Sequence, residues 1–110
     1  MPVIKIYADP RCGGAAAPPF EPALARLADE AVTTLGADPD LVQILWIAPL
    51  APVHGSRVYV EANFRAKETR TPAAVERLMD AIDRCVQACV GEHPRIRCYA
   101  EEAAHLYARR

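Results

Sequence analysis

The chain has 110 residues, of which 52% are hydrophobic and 6% aromatic, and its formal net charge is −1. This length predicts a single domain, residues 1–110, with a mostly aliphatic core. A nearly neutral chain gives no electrostatic basis for binding nucleic acid or an anionic membrane, and no apolar run approaches the roughly 20 residues of a bilayer span. The N-terminus lacks a signal-peptide pattern, so we expect a cytoplasmic protein whose four cysteines are free thiols.

The first half of the chain has the pattern of a strand, a helix and a second strand. Residues 3–7 predict the first strand, and residues 9–19 predict a loop because they contain three prolines and two glycines. From Phe20 to Leu35, apolar residues recur at steps of three and four, which predicts a helix that Gly36 ends. Residues 42–47 predict a short apolar strand.

The second half repeats this order after a divider at residues 48–56. Residues 58–64 and 95–100 alternate apolar and polar side chains, which is the period of a strand. Between them, Thr71 and Pro72 are typical of an N-cap and a first helical residue, and Gly91 predicts the helix end. The predicted buried stripe of this helix consists of Val75, Leu78, Met79, Ile82, Val86 and Val90. The tail, residues 101–110, predicts a further short helix.

Two sequence matches indicate that the halves are related. Gly36-x-x-Pro39 recurs as Gly91-x-x-Pro94, and Arg26-Leu27-Ala28-Asp29 recurs as Arg77-Leu78-Met79-Asp80. Their common order predicts a duplicated β-α-β unit, residues 2–47 and 57–100. Two such right-handed units side by side predict an α/β (α+β) fold, with a four-stranded mixed sheet and both helices on one face. The other sheet face then needs a cover, which favours oligomerisation.

Pro2 directly follows Met1 at the head of the first strand. A methionine before a small residue is usually trimmed, which would leave a prolyl secondary amine at the terminus. An α-amino group titrates at about pH 8, and burial or nearby positive charge brings its pKa closer to the range that suits a general base. A retained Met1 would convert this amine into an amide without basicity. The alternative is that Pro2 only suits the start of a strand.

Pro2 at a strand start, the duplicated unit and the chain length together resemble the tautomerase superfamily. This superfamily includes macrophage migration inhibitory factor, 4-oxalocrotonate tautomerase, carboxymethyl-hydroxymuconate isomerase and cis-3-chloroacrylic acid dehalogenase. The opening Met-Pro-Val-Ile-Lys-Ile-Tyr is similar to the dehalogenase and isomerase openings, and residues 58–77 are similar to their third strand and second helix. The resemblance implies a homotrimer that acts on a small oxo- or unsaturated carboxylate by tautomerisation or isomerisation, without cofactor or metal.

The resemblance also implies roles for individual residues. The implied catalytic residues are Pro2, as general base and acid, and Tyr99, which resembles a water-activating tyrosine. The implied substrate-binding residues are Arg97, Arg70, Arg65 and Phe64. A planar guanidinium binds a carboxylate through two parallel hydrogen bonds, and its charge favours a neutral amine nearby. The alternative for each arginine is a solvated surface charge.

Two other functions remain open from the sequence. One is a non-catalytic protein with the tautomerase fold, and the other is a small-ligand-binding module with a ferredoxin-like fold. The ferredoxin-like fold has the same element order but an antiparallel sheet throughout, so parallel pairing within each half would distinguish the two. Cys85 and Cys89, one helical turn apart, are either two metal ligands or small core residues. We favour the core because no histidine has a suitable spacing.

Overall fold

The computed structural model describes residues 1–12 and 20–109. In chain order the elements are β1 (Val3–Ala8), α1 (Phe20–Leu35), β2 (Gln43–Ile47), β3 (Val58–Arg65), α2 (Pro72–Val90) and β4 (Arg95–Glu101). In the described part of the tail, up to residue 109, the predicted short helix is a 3₁₀ turn at Ala103–His105. A second 3₁₀ turn at Pro39–Leu41 was not predicted. Residues 13–19, most of the predicted first loop, lie outside the described ranges.

The four strands form one mixed sheet in the order β2-β1-β3-β4. β1 runs parallel to β2 and β3 parallel to β4, whereas the central pair, β1 and β3, is antiparallel. The predicted four-stranded mixed sheet with two helices is therefore confirmed. Parallel pairing within each half contradicts the ferredoxin-like alternative, whose sheet is antiparallel throughout.

The ends of α2 follow the predicted capping residues. The Thr71 hydroxyl accepts a hydrogen bond from the Ala74 N–H at 3.2 Å, and Gly91 adopts the left-handed conformation at φ 72°. Gly36, directly after α1, has φ 61°. Within residues 1–12 and 20–109, no helix is long and apolar enough to span a bilayer.

One face of the sheet packs against both helices to form the core. Its buried residues include Ile4, Ile6, Val60, Ala62 and Phe64 from the strands and Leu27, Ala31, Leu35, Leu78, Ile82 and Val86 from the helices. Cys85 and Cys89 are also buried there as free thiols, which confirms the core interpretation. The predicted stripe was wrong in part, because Val75, Met79 and Val90 are only partly buried, whereas the small residues Ala74, Ala81, Cys85 and Cys89 are buried. The Cys85 Sγ lies 3.6 Å from the Ala23 carbonyl oxygen, so the two helices approach closely.

The opposite face of the sheet, called here the open sheet face, carries mostly polar side chains. Lys5 of β1, Glu61 of β3 and Arg97 of β4 are neighbours in register across this face. The adjacent set of paired residues on this face contains Val3, Asn63 and Tyr99, with Tyr99 beside Asn63. Because strand residues alternate between faces, Arg97 and Tyr99 point away from the helices.

Asp9 is a buried carboxylate that fastens the connection between β2 and β3 to the end of β1. Its oxygens accept hydrogen bonds from the Arg11 Nε and Nη2 at 3.0 Å, from the Arg11 N–H at 2.8 Å and from the Val53 N–H at 2.7 Å. The side-chain bonds from Arg11, followed by the two backbone bonds, hold the pKa of Asp9 well below its usual range. The carboxylate is therefore an electrostatic anchor of the fold.

Replacing Asp9 should remove stability in a pH-dependent way. Since the folded-state pKa is lowered, the contribution of Asp9 is complete above the ordinary carboxyl pKa of about 4 and is lost as pH falls through the lowered value. Asp9→Asn should lower the Tm at pH 7 by several degrees and flatten its decline between about pH 5 and pH 2. Asp80→Asn, at an exposed position of α2, is the control. Parallel Tm–pH curves for Asp9→Asn and the unmodified protein would contradict this assignment.

Candidate functional site

A cavity of about 520 Å³ opens beside the start of the chain and is called here the N-terminal cavity. Its lining comes from Met1, Val3, Leu41, Asn63, Phe64, Arg65, Lys67, Glu101, Leu106 and Ala108. The sheet topology explains this assembly. Antiparallel pairing places the start of β1 beside the end of β3, and parallel pairing adds the end of β4. The tail then turns back along this edge and supplies two apolar side chains.

The chain terminus contributes a titratable amine to this cavity. Pro2 is fully buried, and its carbonyl oxygen accepts a hydrogen bond from the Gln43 N–H at 2.9 Å. Met1 is 46% exposed and carries the terminal amine. Burial lowers the pKa of this amine, and the positive charges of Arg65, Arg70 and Lys67 lower it further. The region around the chain start is thus strongly cationic.

Arg65 and Lys67 are the cations available to a ligand in this cavity. Both are exposed, and both line the cavity wall. The ion pairs among the described residues involve neither of them. Two positive charges that form no ion pair among the described residues, beside apolar side chains, form a suitable site for a small organic anion.

Arg70 has a different environment from Arg65, although both follow β3 closely. It is only 9% exposed, and its guanidinium lies 5.9 Å from the centre of the Phe64 ring. Its Nε donates to the Leu35 carbonyl oxygen at 3.0 Å, and its Nη1 donates to the Arg65 carbonyl oxygen at 2.9 Å. Both of these side-chain hydrogen bonds are therefore made to the backbone. Phe64 itself is 2% exposed and forms part of the cavity wall.

Arg97 and Tyr99 lie on the open sheet face rather than in the N-terminal cavity of their own chain. Arg97 is exposed, and its Nη1 donates to the Ile96 carbonyl oxygen at 3.1 Å. Tyr99 is 45% exposed and shares a groove with Tyr59. The Tyr59 hydroxyl donates to Glu61 Oε1 at 3.0 Å, and burial together with this bond raises the pKa of Tyr59 to about 12. Within one chain, Phe64 and Arg65 line the N-terminal cavity with Met1, the neighbour of Pro2, whereas Arg97 and Tyr99 lie in a different groove.

No protein-family model and no curated protein matches the sequence. Solved structures match the fold closely. A fused 4-OT, solved as an asymmetric trimer, superposes with a TM-score of 0.72 at 16% identity, covering 96% of this chain and 91% of that one. The chain has the tautomerase fold. Two further structures agree with this conclusion.

One further tautomerase-fold neighbour, inactivated by 2-oxo-3-pentynoate, has a TM-score of 0.71 at 17% identity and covers 94% of this chain and 89% of its own. The other belongs to the cis-3-chloroacrylic acid dehalogenase family, with a TM-score of 0.73 at 12% identity, covering 96% of this chain and 79% of its own. The resemblance in the sequence is thus confirmed at the level of the fold. At these identities the likeness does not extend to activity, which depends on the residues of the cavity.

The tautomerase fold also places residues at the cavity that sequence reasoning missed. Lys67 continues the alternation of Asn63 and Arg65 beyond the strand end, and that spacing was a usable signal. Glu101 accepts a hydrogen bond from the Asn63 Nδ2 at 3.1 Å and brings a carboxylate to this cationic wall. Leu106 and Ala108 lie in a tail without periodicity, so no pattern indicated them. Among the described residues, no group of three potential metal ligands occurs.

Proposed function

We propose that this protein is a tautomerase-like enzyme that uses the amine of Pro2, after removal of Met1, as general base and acid. The single observation that carries the proposal is the location of the chain start, which lines a cavity together with Arg65 and Lys67 and lies close enough to Arg70 for its charge to act on the amine. Met1 lines the cavity and is bonded to the Pro2 nitrogen. Its removal would therefore leave the prolyl amine facing the space that Met1 lines.

The charges around the amine suit proton transfer from carbon. Positive neighbours favour the neutral amine, which then accepts a proton from a carbon next to a carbonyl group. In this step a C–H bond breaks, an N–H bond forms, and the electron pair moves to the carbonyl oxygen as an enolate. The protonated amine returns its proton to a different atom of the same intermediate. Arg65 and Lys67 bind the carboxylate and stabilise the developing negative charge.

We further propose that the protein is a homotrimer in which the open sheet faces are buried. The helices pack on the other face, so the apolar and aromatic groups of the open sheet face, such as Leu45 at 37% and Tyr99 at 45% exposed, favour a neighbouring subunit as cover. The neighbour solved as a trimer supports this arrangement. In such a trimer, Arg97 and Tyr99 of one subunit would contribute to the N-terminal cavity of the next, which makes each site a shared one.

Covalent labelling tests the proposed nucleophilic amine directly. The probe is 2-oxo-3-pentynoate, which inactivates one protein of this fold. Its alkyne is conjugated with a carbonyl group, so a neutral amine can add to it. Trimmed protein should gain the mass of one probe molecule, located on Pro2 by peptide mass spectrometry, and protein that retains Met1 should not. Labelling at lysines or cysteines instead of Pro2 would count against the proposal.

Arg65→Ala should weaken substrate binding. Loss of one charge-assisted contact to a carboxylate costs about 1.5–3 kcal/mol, so KM for phenylenolpyruvate should rise by about one to two powers of ten. Arg57→Ala is a matched control, because Arg57 precedes the other end of β3 and pairs with Glu92 at 3.6 Å. An unchanged KM in Arg65→Ala would return Arg65 to the group of solvated surface charges.

A further inference from the structure

We propose that Arg70 is a positioning residue of this site, which fixes the turn between β3 and α2 so that Arg65 faces the N-terminal cavity, without binding substrate itself. The inference deepens the proposed function and rests on it. It differs from the direct substrate contact that the resemblance implied for Arg70.

The turn after β3 closes on itself around Arg70. Its guanidinium donates to the Arg65 carbonyl oxygen at 2.9 Å, and its backbone N–H donates to the Lys67 carbonyl oxygen at 3.0 Å. The Ala66 N–H donates to the Glu101 carbonyl oxygen at 2.8 Å, which fastens the same turn to the end of β4. With its backbone held at three points, the turn presents Arg65 and Lys67 outward and Arg70 inward.

Arg70 also completes the C-terminus of α1. The last carbonyl groups of a helix lack partners within the helix and carry partial negative charge. The last turn of α1 contains no basic residue. The charged guanidinium of Arg70 takes this place, because its Nε donates a hydrogen bond to the Leu35 carbonyl oxygen at 3.0 Å. These carbonyl groups and the Phe64 ring stabilise the guanidinium of Arg70, a residue that is only 9% exposed. The side chain is thereby held in place from two elements.

The buried charge of Arg70 and the exposed charges of Arg65 and Lys67 affect the protonation of the amine differently. The charged groups near the terminal amine are Arg65, Lys67 and Arg70 around the turn and Glu101 from β4. A substrate carboxylate bound to Arg65 and Lys67 would offset their charges at the moment when the amine must be neutral. Arg70, bonded to backbone carbonyl groups, would keep its charge free of the substrate. It therefore sustains a neutral amine in the substrate complex as well as in the free enzyme.

Two variants of Arg70 separate positioning from direct binding. Arg70→Lys keeps the charge but loses the two-carbonyl geometry, and Arg70→Met removes both. Arg70→Lys should accelerate amide hydrogen exchange at residues 65–70 by about tenfold or more, since the local opening becomes easier. Benzoate, an unreactive carboxylate probe, should bind Arg70→Lys only about two- to fivefold more weakly, because Arg65 and Lys67 remain but are held less firmly, and should bind Arg65→Ala more than about tenfold more weakly. Arg77→Lys, at an exposed position of α2, is the control.

The titration of Pro2 provides the readout that a purely structural role would not change. In trimmed protein, the amine pKa measured by NMR should rise toward its ordinary value in Arg70→Met and stay lowered in Arg70→Lys. Two results together would overturn the proposal and show that Arg70 binds the substrate directly. Benzoate would bind Arg70→Lys as weakly as it binds Arg65→Ala, and hydrogen exchange at residues 65–70 would be unchanged. Exchange, benzoate binding and amine titration need no turnover. Inactive wild-type protein would therefore refute the proposed function while leaving these three results interpretable.

Discussion

Protein trimmed to begin at Pro2 should convert phenylenolpyruvate to its keto form, whereas protein that retains Met1 should lose nearly all of this activity. The amide nitrogen of an internal proline has no basic lone pair, so retention of Met1 removes the base entirely. General acid–base catalysis contributes about 10²–10⁴-fold to a rate, and a loss of this size is expected. The measurement is kcat/KM on two preparations whose termini are verified by intact mass.

Pro2→Ala should be less damaging than the retained methionine. A trimmed alanine still offers a primary amine, so a residual rate is expected. Because the Pro2 side chain is fully buried, the Tm of this variant must be measured to separate lost packing from lost chemistry. Equal turnover by trimmed and Met1-bearing protein would show that Pro2 is not the catalytic group. The protein would then share only the fold, as in the non-catalytic alternative.

The pH profile gives an independent check of the same amine. The base is active when neutral, so kcat/KM should rise with pH and level off above its apparent pKa. Since Arg65, Lys67 and Arg70 surround the chain start, this apparent pKa should lie below the ordinary α-amino value of about 8. Salt should move it partly back, because exposed charges such as Arg65 are screened more than the buried Arg70. An apparent pKa at or above the ordinary value would contradict the cationic cavity.

Local patterns predicted the elements of this fold well because each signal acts over a few residues. The alternation in residues 58–64, the cap at Thr71 and the glycine stop at Gly91 all coincide with observed boundaries. The duplicated β-α-β unit then predicted that the sheet contains both parallel and antiparallel strand pairs. The predicted stripe of α2, which was wrong in part, shows the limit of this approach. The period of apolar residues predicts a wide apolar face on α2. Which residues of that face are buried depends on the helix that packs against it, here α1.

The site was less predictable because its residues meet only through tertiary structure. The pairing of β1 with β3 brings Phe64 and Arg65 to the chain start, and the resemblance included both residues. Arg70 was predicted to bind substrate because it lies directly before a helix. Its position in the structure depends instead on the Leu35 carbonyl group, which is distant in sequence. Strand alternation places Arg97 on the open sheet face, so its predicted contact with substrate requires a second subunit.

Mixing two inactive or impaired proteins should restore activity if Arg97 acts across a subunit interface. The pair consists of Met1-bearing protein, which supplies Arg97 but no base, and trimmed Arg97→Ala, which supplies the base. In randomly mixed trimers, about a quarter of the sites would combine an intact Pro2 with an intact Arg97 from the neighbouring subunit. These sites should turn over phenylenolpyruvate with the KM of the unmodified protein, against a KM about 10–100-fold higher for Arg97→Ala alone.

The structure supplies a control in which no recovery is possible. Met1, which precedes Pro2, and Arg65 line one cavity of the same chain, so a mixture of Met1-bearing protein with trimmed Arg65→Ala contains no site with both Pro2 and Arg65 intact. Activity should therefore return in the Arg97 mixture and not in the Arg65 mixture. Failure of both mixtures, in trimers verified by light scattering, would assign Arg97 to the solvated charges of the open sheet face. A stable monomer at micromolar concentration would exclude the shared site altogether, because Arg97 then has no neighbouring cavity to enter.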